Sequence, residues 1–168
     1  MTRWTFFGGN LAGVKEKLDY LQELGITIIY FNPIFEASSS HKYDTADYLK
    51  IDGMFGDEEI FRDLVIEAEK RGISIILDGV FSHTGCDSIY FNRYGNFPGT
   101  GAYQSSHSPY AKWYTFKDDH CREYACWWGV DDLPNVDEME PSYRDFIYRG
   151  KESVVLHWMR TGIKGWRL

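Results

Sequence analysis

Cysteine is scarce in this chain, and the three present, Cys86, Cys121 and Cys126, form an odd and widely spaced set. That excludes a disulfide framework of the kind that staples small secreted domains and suggests reduced thiols in a cytosol. Positive charge is in deficit as well. Lys and Arg number 18 against 25 Asp and Glu, a net charge of −7, which makes nucleic acid and anionic membranes poor partners. No apolar run approaches the roughly 20 residues that span a bilayer. The N-terminus, Met1 to Gly9, lacks the apolar core and small-residue cleavage site of a signal peptide. Gly8-Gly9 is no phosphate loop, because neither a preceding strand nor a following Lys-Ser/Thr accompanies it. His83 with Cys86, and His120-Cys121 with Cys126, lack the spacing of a zinc finger, so no metal site is expected from them.

What the chain does have is length for one domain with a real core, and many rings. Its 168 residues are 17% aromatic, and the rings crowd into the stretch from Tyr90 to Trp128. The rest is periodic. Leu11, Val14, Leu18 and Leu21 share one helical face, with Asn10 as a plausible N-cap and Gly25 as a stop. A β-branched and aromatic run, Ile26 to Phe31, follows and ends at Asn32-Pro33. Residues 33–56 read as a long polar loop. Asp57 then caps a second amphipathic helix with Phe61, Leu64, Val65 and Ala68 inward, and Gly72 stops it.

The next stretch, Ile73 to Leu77, is an unbroken apolar run that suits a strand buried on both faces. It delivers Asp78 and, after a short loop, His83. Those two are either part of a site at a strand's C-terminal end or a capping Asp and a surface His. The unit repeats: Gly25-Ile26-Thr27-Ile28-Ile29 and Gly72-Ile73-Ser74-Ile75-Ile76 are the same helix-stop and strand-start. Gly162-Ile163-Lys164-Gly165 is a weaker third copy, after a helical stretch from Lys151 to Thr161. Strands alternating with helices predict βαβ units and a parallel sheet. The third unit is about twice as long, so an irregular insertion occupies residues 84–140, within a frame formed by 1–83 and 141–168. With three strands and three helices the sheet is incomplete, its edges are open, and self-association and modest stability are expected.

Four stretches together resemble the α-amylase superfamily of retaining α-glucan hydrolases and transglycosylases. They are Lys42-Tyr43-Asp44 through Tyr48, Asp78 through His83, Leu133-Pro134-Asn135-Val136-Asp137, and Gly165-Trp166-Arg167-Leu168. Gly8-Gly9-Asn10-Leu11 and Asn32-Pro33-Ile34-Phe35 are most similar to the neopullulanase and cyclomaltodextrinase branch. The resemblance covers essentially the whole chain in the family's order. It implies an α/β fold: a partial TIM (β/α)8 barrel, about strands two to four with helices one to three, and an inserted domain between strand three and helix three.

The resemblance also implies roles. Tyr43 would stack on the sugar at the cleaved position, as a ring packs on the apolar C–H face of a pyranose. Asp78 would hold Arg167, and Arg167 would orient a nucleophilic carboxylate and keep it ionised. His83 would bond a hydroxymethyl oxygen of the same sugar. Trp127 and Trp128 stand where rings line sugar subsites, although a local core is an equal reading of each. Ser82 stands where many members have a calcium-binding Asn, which weakens the case for that metal. Retaining cleavage needs a nucleophile and a general acid about 5–5.5 Å apart. In the family the nucleophile follows Gly-x-Arg-Leu, and the acid and a third Asp come from later strands. Asp44, Asp47 and Asp78 already have matched roles. The chain alone is therefore expected to be inactive: part of an α-1,4/α-1,6 glucan hydrolase, with an α-glucan oligosaccharide as its partner. A non-catalytic glucan-binding or assembly subunit of the same fold is the alternative, and an α/β binding protein without a carbohydrate link is a third reading.

Overall fold

The computed structural model describes residues 5–6, 8–117 and 123–168. Two short helices, α1 (Leu11–Glu16) and α2 (Leu18–Glu23), lead into strand β1 (Ile28–Tyr30). Strands β2 (Phe35–Ala37) and β3 (Thr45–Ile51) form an antiparallel pair, and α3 (Glu58–Lys70) leads into β4 (Ser74–Asp78). After residues 84–140 come α4 (Pro141–Arg144), a π-helical turn (Asp145–Arg149), α5 (Val154–Met159) and β5 (Gly165–Arg167).

The expected parallel sheet is present. Its strands run in the order β1-β4-β5, with Tyr30 level with Ile76 and Asp78 level with Arg167. Gly25, Gly72 and Gly162 precede these strands with φ of 84°, 71° and 103°. That left-handed region is costly for any residue with a Cβ, so glycine lets the chain leave a helix and turn into the sheet. The expected caps are also there. Asn10 Oδ1 accepts from the Gly13 amide at 2.8 Å, and Asp57 Oδ1 from the Ile60 amide at 2.8 Å. The buried face of α3, Phe61, Leu64, Val65 and Ala68, packs into the same core as Ile75 and Leu77 of β4.

Three expectations need correction. The first helix is not continuous: the Lys17 amide bonds the Val14 carbonyl at 3.0 Å, a tighter i−3 turn that divides α1 from α2. Residues 33–56 are not one polar loop, because β2 and β3 pair within them. Two register shifts interrupt that pairing, which breaks the clean alternation a strand usually shows in sequence. The helix expected over 151–161 is shorter, α5 alone, and helical structure also occupies 141–149. Glu140 caps this earlier segment through a 2.9 Å bond from the Tyr143 amide, with Pro141 in the first turn.

Among the described residues, 84–140 contain no regular element longer than a three-residue turn. Isolated pairings, Tyr114 with Val136 and Cys126 with Pro134, shape the segment instead. Its rings Tyr90, Phe91, Trp113, Tyr114 and Tyr124 are buried and share the core of α3 and β4. Aromatic contact thus replaces backbone ladders here. Phe91 lies 4.8 Å from Tyr114 and 4.7 Å from Tyr124, both edge to face.

Candidate functional site

Parallel pairing puts the C-terminal ends of β1, β4 and β5 side by side, so Tyr30, Asp78 and Arg167 emerge together. Asp78 is buried and acts as the common acceptor. Arg167 Nη1 donates to its Oδ2 and Oδ1 at 3.3 and 3.4 Å, Tyr43 donates its hydroxyl to Oδ2 at 3.3 Å, and the Tyr30 hydroxyl makes a short bond to the same oxygen. Arg167 keeps 57% of its side chain in solvent while holding a carboxylate that has almost none. The Asp78 charge pushes the Arg167 pKa still higher. Burial first, and then the bond to Asp78, push the Tyr30 hydroxyl well above its usual range, so it remains a donor.

Tyr43 sits in the loop between β2 and β3. That loop is tied down by Asp44, which accepts from the Ser39 amide at 3.0 Å and, more closely, from the Ser39 hydroxyl. Gly85 passes under it, and a Cβ there would stand 2.5 Å from the Asp44 carbonyl oxygen, so only glycine fits. From β3, the buried Tyr48 donates its hydroxyl to the carbonyls of Val80 at 2.6 Å and His83 at 2.8 Å, fixing the loop that follows Asp78.

His83 is not a solvated loop histidine. Its Nε2 lies 3.0 Å from the Tyr43 carbonyl and its Nδ1 3.1 Å from Ser82 Oγ. A carbonyl only accepts, so Nε2 carries the proton and the Ser82 hydroxyl donates to Nδ1. Burial depresses the His83 pKa below 6.5, although the Tyr43 carbonyl and the Asp44 charge oppose it. A depressed histidine pKa means that the unfolded chain binds the extra proton first. The stability from neutral His83 is therefore present above pH 6.5 and is lost as pH falls through the lower folded value. The melting temperature should fall on acidification below about 6.5, and His83→Gln should flatten that limb. Thermal melts at stepped pH check this; an unchanged acid limb in the variant would assign the loss to other groups.

The four residues singled out from the sequence, Tyr43, Asp78, His83 and Arg167, therefore form one connected cluster. Tyr30 belongs with them and was missed, although its place at the end of a strand paired with β4 is the same signal that marks Asp78. Beside the cluster, an open cleft of about 840 Å³ is lined by Tyr30, Asn32, His41, Tyr43 and Phe55 among others. His41 also borders a second hollow of about 450 Å³, which contains Asp44, Asp87, Tyr94 and Asp132. The Trp127 ring lies 5.7 Å from His83. Trp128, next to it, is 87% exposed with a left-handed φ of 51°.

Ser82 Oγ lies 3.1 Å from His83 Nδ1, and Asn135, which bridges His83 across the backbone, keeps its buried Oδ1 without a hydrogen-bond partner. Among the described residues no three His, Cys, Asp or Glu side chains converge on a metal position. Cys86 bonds Asp132 at 3.5 Å, and burial pushes its thiol up to about 11; His120 and Cys121 lie outside the described residues.

The family model for the α-amylase catalytic domain matches residues 2–168. The chain belongs to the α-amylase family. It is 49% identical over 181 residues to the amylopullulanase of Thermoanaerobacterium saccharolyticum, covering 97% of this chain and 14% of that protein. It is 40% identical over 172 residues to neopullulanase 2 of Thermoactinomyces vulgaris, covering 98% and 27%. Among solved structures, the cyclic α-maltosyl-(1→6)-maltose hydrolase of Arthrobacter globiformis in complex with maltose superposes with a TM-score of 0.85 at 32% identity, over 99% of this chain and 37% of that one. This α-amylase-family chain thus spans well under half the length of each of these relatives. Among its described residues, no helix is long and apolar enough to cross a membrane.

Proposed function

We propose that this chain is the glucan-holding portion of a retaining (β/α)8-barrel glycosidase that acts on α-1,4 or α-1,6 bonds of starch-, pullulan- or cyclodextrin-type substrates. In this reading β1, β4 and β5 are barrel strands two, three and four, and residues 84–140 are the domain inserted between strand three and helix three. The observation that carries it is the convergence of Tyr43, His83 and Arg167 around buried Asp78 at the C-terminal ends of parallel strands, the end where barrel enzymes build their sites. The names of the relatives, two pullulan-degrading and one bound to maltose, support the substrate class.

The roles follow from chemistry. The Tyr43 ring packs on the C–H face of a glucosyl unit while its hydroxyl is held by Asp78. Arg167, paired with Asp78 but largely exposed, offers its free guanidinium face to a neighbouring carboxylate and would keep that carboxylate ionised. His83, whose Nε2 already serves the Tyr43 carbonyl, must share or exchange that bond to reach a sugar oxygen. The free thiols of Cys86 and Cys126 support a cytosolic location. The outer edges of β1 and β5 have no partner strand among the described residues, and self-association is proposed there.

Asp78 is spent on three donors and cannot serve as nucleophile or acid. The 168-residue chain by itself is accordingly proposed to bind maltooligosaccharide without cleaving it. Titration with maltotriose should give a saturable change in tryptophan fluorescence, and prolonged incubation should release no reducing sugar. Measurable release would overturn the proposed inactivity. A flat titration would overturn the glucan reading and favour an α/β binding protein of another kind.

A further inference from the structure

Lys42 has 1% of its surface exposed, and its backbone is left-handed at φ 64°. Lysine is almost never fully buried without a partner, and left-handed geometry disfavours any residue with a Cβ. Two unfavourable terms meet at one residue, so its surroundings must hold it there. They do. Nζ donates to Asp52 Oδ2 at 2.7 Å and to the Ala37 carbonyl at 3.2 Å, with Met54 Sδ at 4.0 Å and the Phe55 ring centroid at 5.9 Å. Asp52 is itself buried and also accepts the Ala37 amide at 3.2 Å and the Met54 amide at 3.0 Å. The pair therefore joins the turn between β2 and β3 to the end of β2 and to the chain just past β3.

A buried ion pair is a weak source of stability, since well-packed apolar residues of similar volume often do as well. What apolar residues cannot supply is direction. Lys42 directly precedes Tyr43, whose hydroxyl reaches Asp78 and whose carbonyl receives His83. The Ser39–Asp44 bonds shape the same turn from within, whereas Lys42 anchors it to the hairpin. We propose that the Lys42–Asp52 pair is a positioning device that sets the Tyr43 ring for the sugar, without touching the sugar itself. The inference rests on the reading of Tyr43 as the stacking ring.

The test compares four proteins by calorimetric titration with maltotriose, each well below its own separately measured melting temperature. They are the unsubstituted chain, Lys42→Met, the double variant Lys42→Met/Asp52→Asn, and Tyr43→Ala. Lys42→Met should bind roughly tenfold more weakly, because a small misplacement of a positioned group has large consequences. The double variant, with no stranded charge, should regain melting temperature but not affinity. A purely structural bridge predicts the opposite: lower melting temperatures with affinity per folded molecule unchanged. That result, with Tyr43→Ala still weakened, would overturn the inference and leave the glucan reading intact. No binding by the unsubstituted chain, or full binding by Tyr43→Ala, would remove the reading and the inference with it. Should Lys42→Met fail to fold, the double variant decides by the same criterion.

Discussion

Replacing Trp158 by alanine is expected to destabilise the fold by about 3–5 kcal/mol, a large share of the roughly 5–15 kcal/mol that holds a typical domain together. Trp158 is fully buried on α5, with its ring 5.2 Å from Phe35 of β2 and 5.7 Å, edge to face, from Phe61 of α3. Its Nε1 also donates to the Tyr48 carbonyl at 2.8 Å. One side chain thus joins a helix, the hairpin and the central helix, and truncation leaves both a cavity and a buried carbonyl short of a donor. Trp158→Phe separates the two effects. It keeps most of the apolar contact and loses the bond, so about 1–2 kcal/mol is expected. Urea titrations followed by far-UV circular dichroism measure both without relying on the deleted fluorophore. A loss below about 1 kcal/mol for the alanine variant would mean that the core collapses to fill the space.

The same residue shows what was readable beforehand. Val154, Trp158 and Thr161 line up at helical spacing, and all three are buried. The repeated glycine and β-branched run gave the parallel sheet, because parallel order follows from local pattern plus one crossover. The Asp78–Arg167 pair, by contrast, came only from the family resemblance; the register of β4 and β5 sets the two residues level. The hairpin was not readable. Phe35–Ala37 is only three residues long, and β3 carries Asp47 and Lys50 among buried Ala46, Tyr48 and Ile51, so its period is blurred by bulges. Lys42 was hidden for a different reason. Nothing local distinguishes a lysine that will meet Asp52 in the interior from one that will stay in water. The His83 bond is similar, since its acceptor is the carbonyl of Tyr43, 40 positions away. Pairings made only by tertiary folding were opaque, while periodic faces, caps and strand ends were legible.

Those tertiary pairings make Asp78 the point where a single substitution should matter most for binding. Three segments each send it one donor: Tyr30 from β1, Tyr43 from the β2–β3 turn and Arg167 from β5. Asp78→Ala removes the shared acceptor, frees Arg167 toward solvent and loosens the phenol of Tyr43. Because hydrogen bonds to a buried carboxylate are worth about 1.5–3 kcal/mol each, maltotriose affinity should fall on the order of 30-fold even if only one of them governs the ring. Asp78→Asn should fall between, since its amide oxygen still accepts while its NH2 faces donors. Tyr43→Phe gives the contribution of the hydroxyl bond alone. Calorimetric titration of the three variants, each with its melting temperature measured, orders them. If Asp78→Ala loses stability but less than threefold in affinity, Tyr43 is held by His83 and its turn, and the carboxylate is a structural hub with no bearing on the sugar.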